Sequence, residues 1–228
     1  MWGWIEFALA MGVFMASHRI PAALGVRDRL VAALGARGYT ALFSLVSTGL
    51  LLWVIWAAGR APFVPIWDQS PAARWAVNIV MPLVVALVAF GTAAPNPFAF
   101  EGRRTGFDPA RPGIAGLTRQ PLLWALLLWA LAHLWANGDL AHVILFGTFA
   151  GFSALGMRIV ETRRRRQAGA EEWARLTAHT GLLPLAALLS GRWRPRRPPP
   201  VWRLAAALLG WAALWHLHAP VIGVWPGP

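Results

Sequence analysis

The sequence predicts an all-α, polytopic membrane protein, and three observations carry that expectation. Hydrophobic residues make up 57% of its 228 positions, and the mean hydropathy is +0.52. Only 13% of residues are charged, about half the share of an ordinary soluble domain. The apolar stretches are also long enough for a bilayer core of about 30 Å, which takes roughly 20 residues of helix.

Six such stretches read as helices. The first covers residues 2–17 and ends at His18-Arg19-Ile20-Pro21, because proline cannot continue a helix interior. It has neither a basic leader nor a small-residue cleavage site, so it reads as a retained helix. A basic loop at 25–38 follows, in which LVAALGARG reads as a short interfacial helix. Helix two covers 39–58. A nearly neutral loop with three prolines leads to helix three at 75–94, where Pro82 is expected to introduce a kink. The third loop, 95–119, contains PNPFAFEGRRTGFDPARPG.

Helices four and five form the most distinctive part of the chain, a hairpin written GLTRQPLLWALLLWALAHLWANGDLAHVILFGTFAG. Pro121 suits a first helical turn. Asn137-Gly138 breaks the helix, and Asp139 follows as an N-cap for the next one. Helix five is expected to end near Arg158. A long basic loop, 158–200, holds the run Arg163 to Arg166, the amphipathic stretch 170–179 and the stiff spacer WRPRRPPP. Helix six covers 201–218. The expectation is one membrane-embedded domain, 1–228.

The chain has no cysteine and no lysine, so its 21 basic residues are all arginine, and the net charge is +12. In a membrane protein that charge reads as topology and attraction to anionic lipid, with no nucleic-acid partner. The odd-numbered loops and their flanks carry 4, 4 and 11 arginines, whereas the even-numbered loops carry only Arg60 and Arg74. The positive-inside rule then places the odd loops in the cytoplasm and both termini on the periplasmic side of a bacterial inner membrane.

Ionisable groups in the apolar stretches need partners, since burying them alone is costly. Glu6 reads either as a headgroup-level residue or as the partner of a histidine or arginine. His133 lies about 20 Å along helix four from Gln120, at 1.5 Å per residue. At that depth it is either a metal ligand or a hydrogen-bonding residue between helices. His18 lies at the inner end of helix one, and His142, His216 and His218 lie near the other ends of their helices. His179 belongs to the amphipathic stretch and reads as solvated. Depth alone makes His216 a better mate for His133 than His18. On the cytoplasmic side, Arg103, Arg104, Arg119 and Gln120 are expected to converge with Glu161 and Trp173. An arginine-lined mouth of that kind suits a small lipophilic or anionic ligand.

Ser17-His18 with Pro21 and Arg27, GARGYTALFSLVSTGLLLW, TRQPLLWALLLWALAHLWANGD and LTAHTGLLPL together resemble the NnrU family of membrane proteins. The resemblance covers residues 2 to about 193. It implies a link to denitrification, through the expression or activity of nitrite and nitric-oxide reductases. It also implies kinship with plant zeta-carotene isomerase, a haem b membrane enzyme whose two haem-ligating histidines match His18 and His133. The implied cofactor is haem b, and the implied chemistry is redox or isomerase-type.

A more distant similarity is to membrane methyltransferases of the isoprenylcysteine carboxyl methyltransferase type. Arg119-Gln120-Pro121 matches their Arg-His-Pro turn, and Glu171-Glu172-Trp173 through Pro184 matches their acidic-aromatic tail. That resemblance implies S-adenosylmethionine as cofactor, held partly by Arg119 and Gln120. The departure is Gln120, which cannot exchange protons as imidazole does. A membrane assembly factor without chemistry of its own is the third alternative.

Overall fold

The computed structural model describes residues 2–99, 102–103 and 105–227, without the side chains of Ala22 and Ala23. Arg104, expected at the cytoplasmic mouth, lies outside the described residues. The described chain is helical throughout, with α1 Trp2–Ala23, α2 Val26–Arg60, α3 Pro71–Gly91, α4 Ile114–Leu117, α5 Pro121–Ala136, α6 Leu140–Ala168, α7 Ala170–Thr177, α8 Ala186–Leu189 and α9 Val201–Ile222. Each of the six expected apolar helices is present, as α1, α2, α3, α5, α6 and α9. By length and composition, α2, α3, α6 and α9 are apolar and long enough to cross a membrane. Helix α5 is shorter: its 16 residues reach about 24 Å at 1.5 Å each.

Three helix boundaries differ most from those expected, each for a local reason. Helix α1 runs through Pro21 to Ala23. Proline removes one hydrogen bond, but Leu24 N–H still donates to Ile20 O at 2.9 Å. The turn ends at Gly25, whose φ of 67° is the left-handed conformation that glycine adopts without penalty. Helix α2 starts at Val26, so the expected interfacial segment is its first part. Gly35, at φ 71° and ψ 166°, breaks the helical path between that part and the rest. Helix α6 continues about ten residues past Arg158 and carries Arg163 to Arg166 in helical form. Arginine is a good helix former, so a charge run that ends an apolar span need not end the helix.

Two compact units divide the chain, residues 1–68 with 137–145 and residues 69–136 with 146–228. In the first, α1 packs on α2. The Arg60 guanidinium and the Glu6 carboxylate form an ion pair there, and Trp53 Nε1–H donates to Glu6 Oε1 at 3.3 Å. Glu6 is thus the partner of an arginine. Gly3 sits where an added Cβ would lie 2.5 Å from Arg60 O, so the helices touch backbone to backbone at that level.

The Asn-Gly-Asp breaker closes the same unit. Asp139 caps α6 as expected, accepting from His142 N–H at 3.2 Å and from His142 Nδ1–H at 2.6 Å. Gly138 O accepts from Ile66 and Trp67 N–H, and Leu140 N–H donates to Val64 O. The loop before α3 is therefore pinned to the breaker by backbone bonds.

In the second unit α3 packs against both α5 and α9. Val84, Leu87 and Ala125 form its centre, with Val80, Met81, Trp124, Leu128 and Trp129 around them. Alanine recurs among the buried positions, for example Ala125, Ala130 and Ala132, whereas Leu208, Leu209, Ile79 and Leu155 face outward. That arrangement suits a lipid environment. Lipid tails are as apolar as leucine, so helices associate through close approach at small residues. Gly91 shows the same closeness, since a Cβ there would meet Pro121 at 2.8 Å. Helix α9 is tied back by Arg203, which donates to Thr92 O at 3.1 Å, and by Asn78 Nδ2, which donates to Pro226 O at 2.9 Å.

A Cβ at position 138 would lie 1.8 Å from Trp67 O, and that atom is backbone and cannot swing aside. Gly138→Ala is expected to cost about 1–3 kcal/mol, the usual range for forced overpacking. Thermal unfolding in detergent measures it, and an unchanged midpoint would show that the 64–67 loop is not held there.

Candidate functional site

The chain presents two groups of candidate residues. The first is the pair of histidines, one in each compact unit. His18 lies on α1, five residues before its end at Ala23, about 7.5 Å further from the helix end than a terminus at His18 would put it. Its Nδ1 lies 2.8 Å from Phe14 O. A carbonyl oxygen only accepts, so Nδ1 carries the proton and Nε2 carries the lone pair. The ring lies between Phe14 and Phe43, with centroids at 4.5 and 5.2 Å. Ser47 Oγ is 3.5 Å from Nε2.

His133 on α5 repeats this arrangement. Its Nδ1–H donates to Trp129 O at 2.9 Å, again four residues back. Its ring packs between Trp129 and Phe146, with centroids at 5.4 and 5.3 Å. In both cases the helix's own carbonyl sets the tautomer and orients the ring, as a backbone acceptor does for metal-ligating histidines. The residues therefore fit, in donor chemistry, a group that takes imidazole Nε2. The other histidines differ. His142 is engaged by Asp139, His218 Nδ1–H donates to Val224 O at 2.7 Å across the helix end, and exposed His179 donates to Arg192 O at 2.6 Å. His216 is exposed on α9.

The second group lies in the second unit, at the turn that starts α5. Arg119 and Glu161 form an ion pair whose side chains are only 13% and 17% exposed. Arg119 Nη1–H also donates to Thr180 Oγ1 at 3.1 Å. The guanidinium carbon lies 5.8 Å from the centre of the Phe98 ring and 5.6 Å from that of Trp173, within cation–π range. Gln120 is fully buried, and its Nε2–H donates to Phe98 O at 3.1 Å. Arg119, Gln120, Glu161 and Trp173 thus meet, as their shared side of the chain led us to expect. Arg103 contributes only backbone, pairing through its N–H and C=O with Ala94 and Asn96, and its side chain stays exposed.

The segment after α7 folds back under this turn. Arg119 N–H donates to Gly181 O at 2.7 Å. Leu182 O accepts from Thr118 Oγ1–H at 2.8 Å and from Trp124 Nε1–H at 2.9 Å. The acidic residues of the tail take no part. Glu172 pairs twice with Arg175 at 2.7 Å, and that guanidinium holds its carboxyl below the usual carboxylate range. A cleft of about 190 Å³ opens beside the aromatic pair, lined by Pro97, Phe98, Arg164, Trp173 and Leu176 among others.

Three buried polar atoms in this cluster, Arg119 Nε, Gln120 Oε1 and Glu161 Oε2, have no hydrogen-bond partner among the described residues. Buried polar atoms in folded proteins are mostly hydrogen-bonded, to protein or to ordered water. Sequence reasoning missed Asn96, which frames the whole turn. Its Nδ2–H donates to Arg119 O at 3.0 Å, and its Oδ1 accepts from Phe98 and Ala99 N–H at 3.1 and 3.3 Å. The signal was the asparagine of Pro-Asn-Pro-Phe, a residue that turns a chain by bonding its own backbone two residues on.

A family model described as NnrU protein matches residues 6–226, nearly the whole chain. No curated protein and no solved structure matches it.

Proposed function

The chain belongs to the NnrU family, and from that premise we propose that it binds haem b in the membrane through His18 and His133, in the service of nitrogen-oxide respiration or a related redox-type isomerisation. The observation that carries the reading is the arrangement the two share, an imidazole bonded to its own helix's carbonyl and flanked by two aromatic rings. Each imidazole donates Nδ1–H to the carbonyl four residues back, which leaves Nε2 as the nitrogen with ligand character. Aromatic rings on both sides limit rotation of each imidazole and supply apolar walls around it. His18 and His133 would hold the haem, which would supply one-electron chemistry when bound. The chain's own part is to hold two imidazoles, exposed His18 and half-buried His133, in a fixed tautomer between aromatic rings.

A second reading keeps S-adenosylmethionine as ligand of the mouth, because the Arg119-Gln120-Pro121 turn and the 173–184 tail do meet there. Gln120 would then act only as a hydrogen-bonding residue. Binding of S-adenosylmethionine to haem-free protein, with no Soret band in protein from haem-supplied cells, would favour that reading.

The visible spectrum of the purified protein tests the proposal. We expect a Soret band with low-spin bis-histidine features in the wild type, lost in His18→Ala, His133→Ala and His133→Gln, while each variant still inserts, since insertion rests on the apolar spans. A packing role for His133 predicts instead that Gln is nearly silent, within about 1 kcal/mol. An intact bis-histidine spectrum in His133→Ala would contradict the assignment.

The same reading places the arginine-rich loops in the cytoplasm and both termini in the periplasm of an inner membrane. A cysteine at Arg194 should react with a membrane-impermeant thiol reagent only after the cells are opened. Reaction in intact spheroplasts would invert the topology.

A further inference from the structure

We infer that the outer face of α6 is a binding site for an anionic glycerophospholipid with two phosphates. The face changes character along its length. Phe152, Leu155 and Ile159 are exposed and apolar, and at helical spacing they share a side with Thr162, Arg163 and Arg166. Arg158, Ile159, Thr162, Arg163 and Arg166 line an open groove of about 520 Å³. From Phe152 to Arg166 the helix rises about 21 Å, somewhat more than half of a bilayer's ~30 Å hydrocarbon core. The dimensions match one lipid lying along the helix, with acyl chains on the apolar part and phosphate on the basic part.

The charges of this groove are not compensated. Arg158, Arg163 and Arg166 make no ion pair and no side-chain hydrogen bond among the described residues. The acidic residue of the same stretch, Glu161, is an i+3 neighbour of Arg158 by helical spacing but is paired with Arg119. Three guanidiniums without an ion pair among the described residues, each able to take a phosphate oxygen pair in its planar fork, suit an anion of more than one charge. The apolar stripe above them selects the lipid source of that anion over free phosphate.

Native mass spectrometry of the full-length protein in detergent tests this, with cardiolipin, phosphatidylglycerol and phosphatidylcholine as competing probes and glycerol phosphate as a soluble one. We expect cardiolipin to be retained over phosphatidylcholine by at least about tenfold, as several near-surface arginines together allow, with phosphatidylglycerol between them and glycerol phosphate unable to displace the lipid. The R158Q/R163Q/R166Q variant should bring the preference close to unity. The R194Q/R196Q/R197Q variant removes the same charge from an exposed spacer and should keep it. Equal loss in both variants would reduce the effect to net charge and overturn the site. So would a preference unchanged in the first variant, or displacement by glycerol phosphate. The substituted side chains are exposed and unpaired, and an unchanged elution volume confirms that each variant is folded.

Discussion

The ion pair between Arg119 and Glu161 is the constraint on which the second unit depends. Two charges with side chains 13% and 17% exposed have lost most of their hydration, and only their mutual attraction and added hydrogen bonds offset that. Arg119 accordingly collects Glu161 from α6, Thr180 from the segment after α7, and the faces of Phe98 and Trp173. Its backbone is held from both ends, by Asn96 at the carbonyl and by Gly181 at the N–H. The residue after next, Pro121, begins α5. Fixing that first turn sets the height and rotation of a short rod that carries His133 about 18 Å along.

Arginines of both sets of loops find carboxylate partners, as Arg27 does in Asp28 and Arg111 in Asp108. The two arginines of the even-numbered loops are both restrained, Arg60 by Glu6 and Arg74 by donation to Gly227 O at 3.3 Å. Arg158, Arg163 and Arg166 of α6 make no ion pair among the described residues. A membrane protein can leave basic groups unpaired where anionic headgroups supply the counter-charge. Lysine would serve that role nearly as well but not that of Arg119, where a planar fork meets a carboxylate and stacks on two rings.

Much of this was legible in the sequence. Hydropathy located six helices, because the demand that backbone groups be satisfied in lipid leaves few alternatives to a helix. Asp139 was legible as a cap, and the meeting of Arg119, Gln120, Glu161 and Trp173 followed from their common side under the arginine count. Helix ends were less legible. Pro21 and the run Arg163 to Arg166 look like stops, yet one costs a single hydrogen bond near a terminus and the other consists of good helix formers. The framing role of Asn96 and the backbone contact of Gly138 with Trp67 depend on segments distant in sequence or on one turn's geometry, which periodicity does not encode.

A double-substitution cycle on Arg119 and Glu161, read by thermal unfolding in detergent, tests the central claim most directly. Removing one partner in Arg119→Met or Glu161→Gln should cost about 3–5 kcal/mol, because the other charge is left buried and alone. Replacing both in Arg119→Met/Glu161→Gln should cost far less than the two singles combined. Single effects that add to within about 0.5 kcal/mol would contradict the account, since they would mean that the two charges are solvated independently and hold nothing in place.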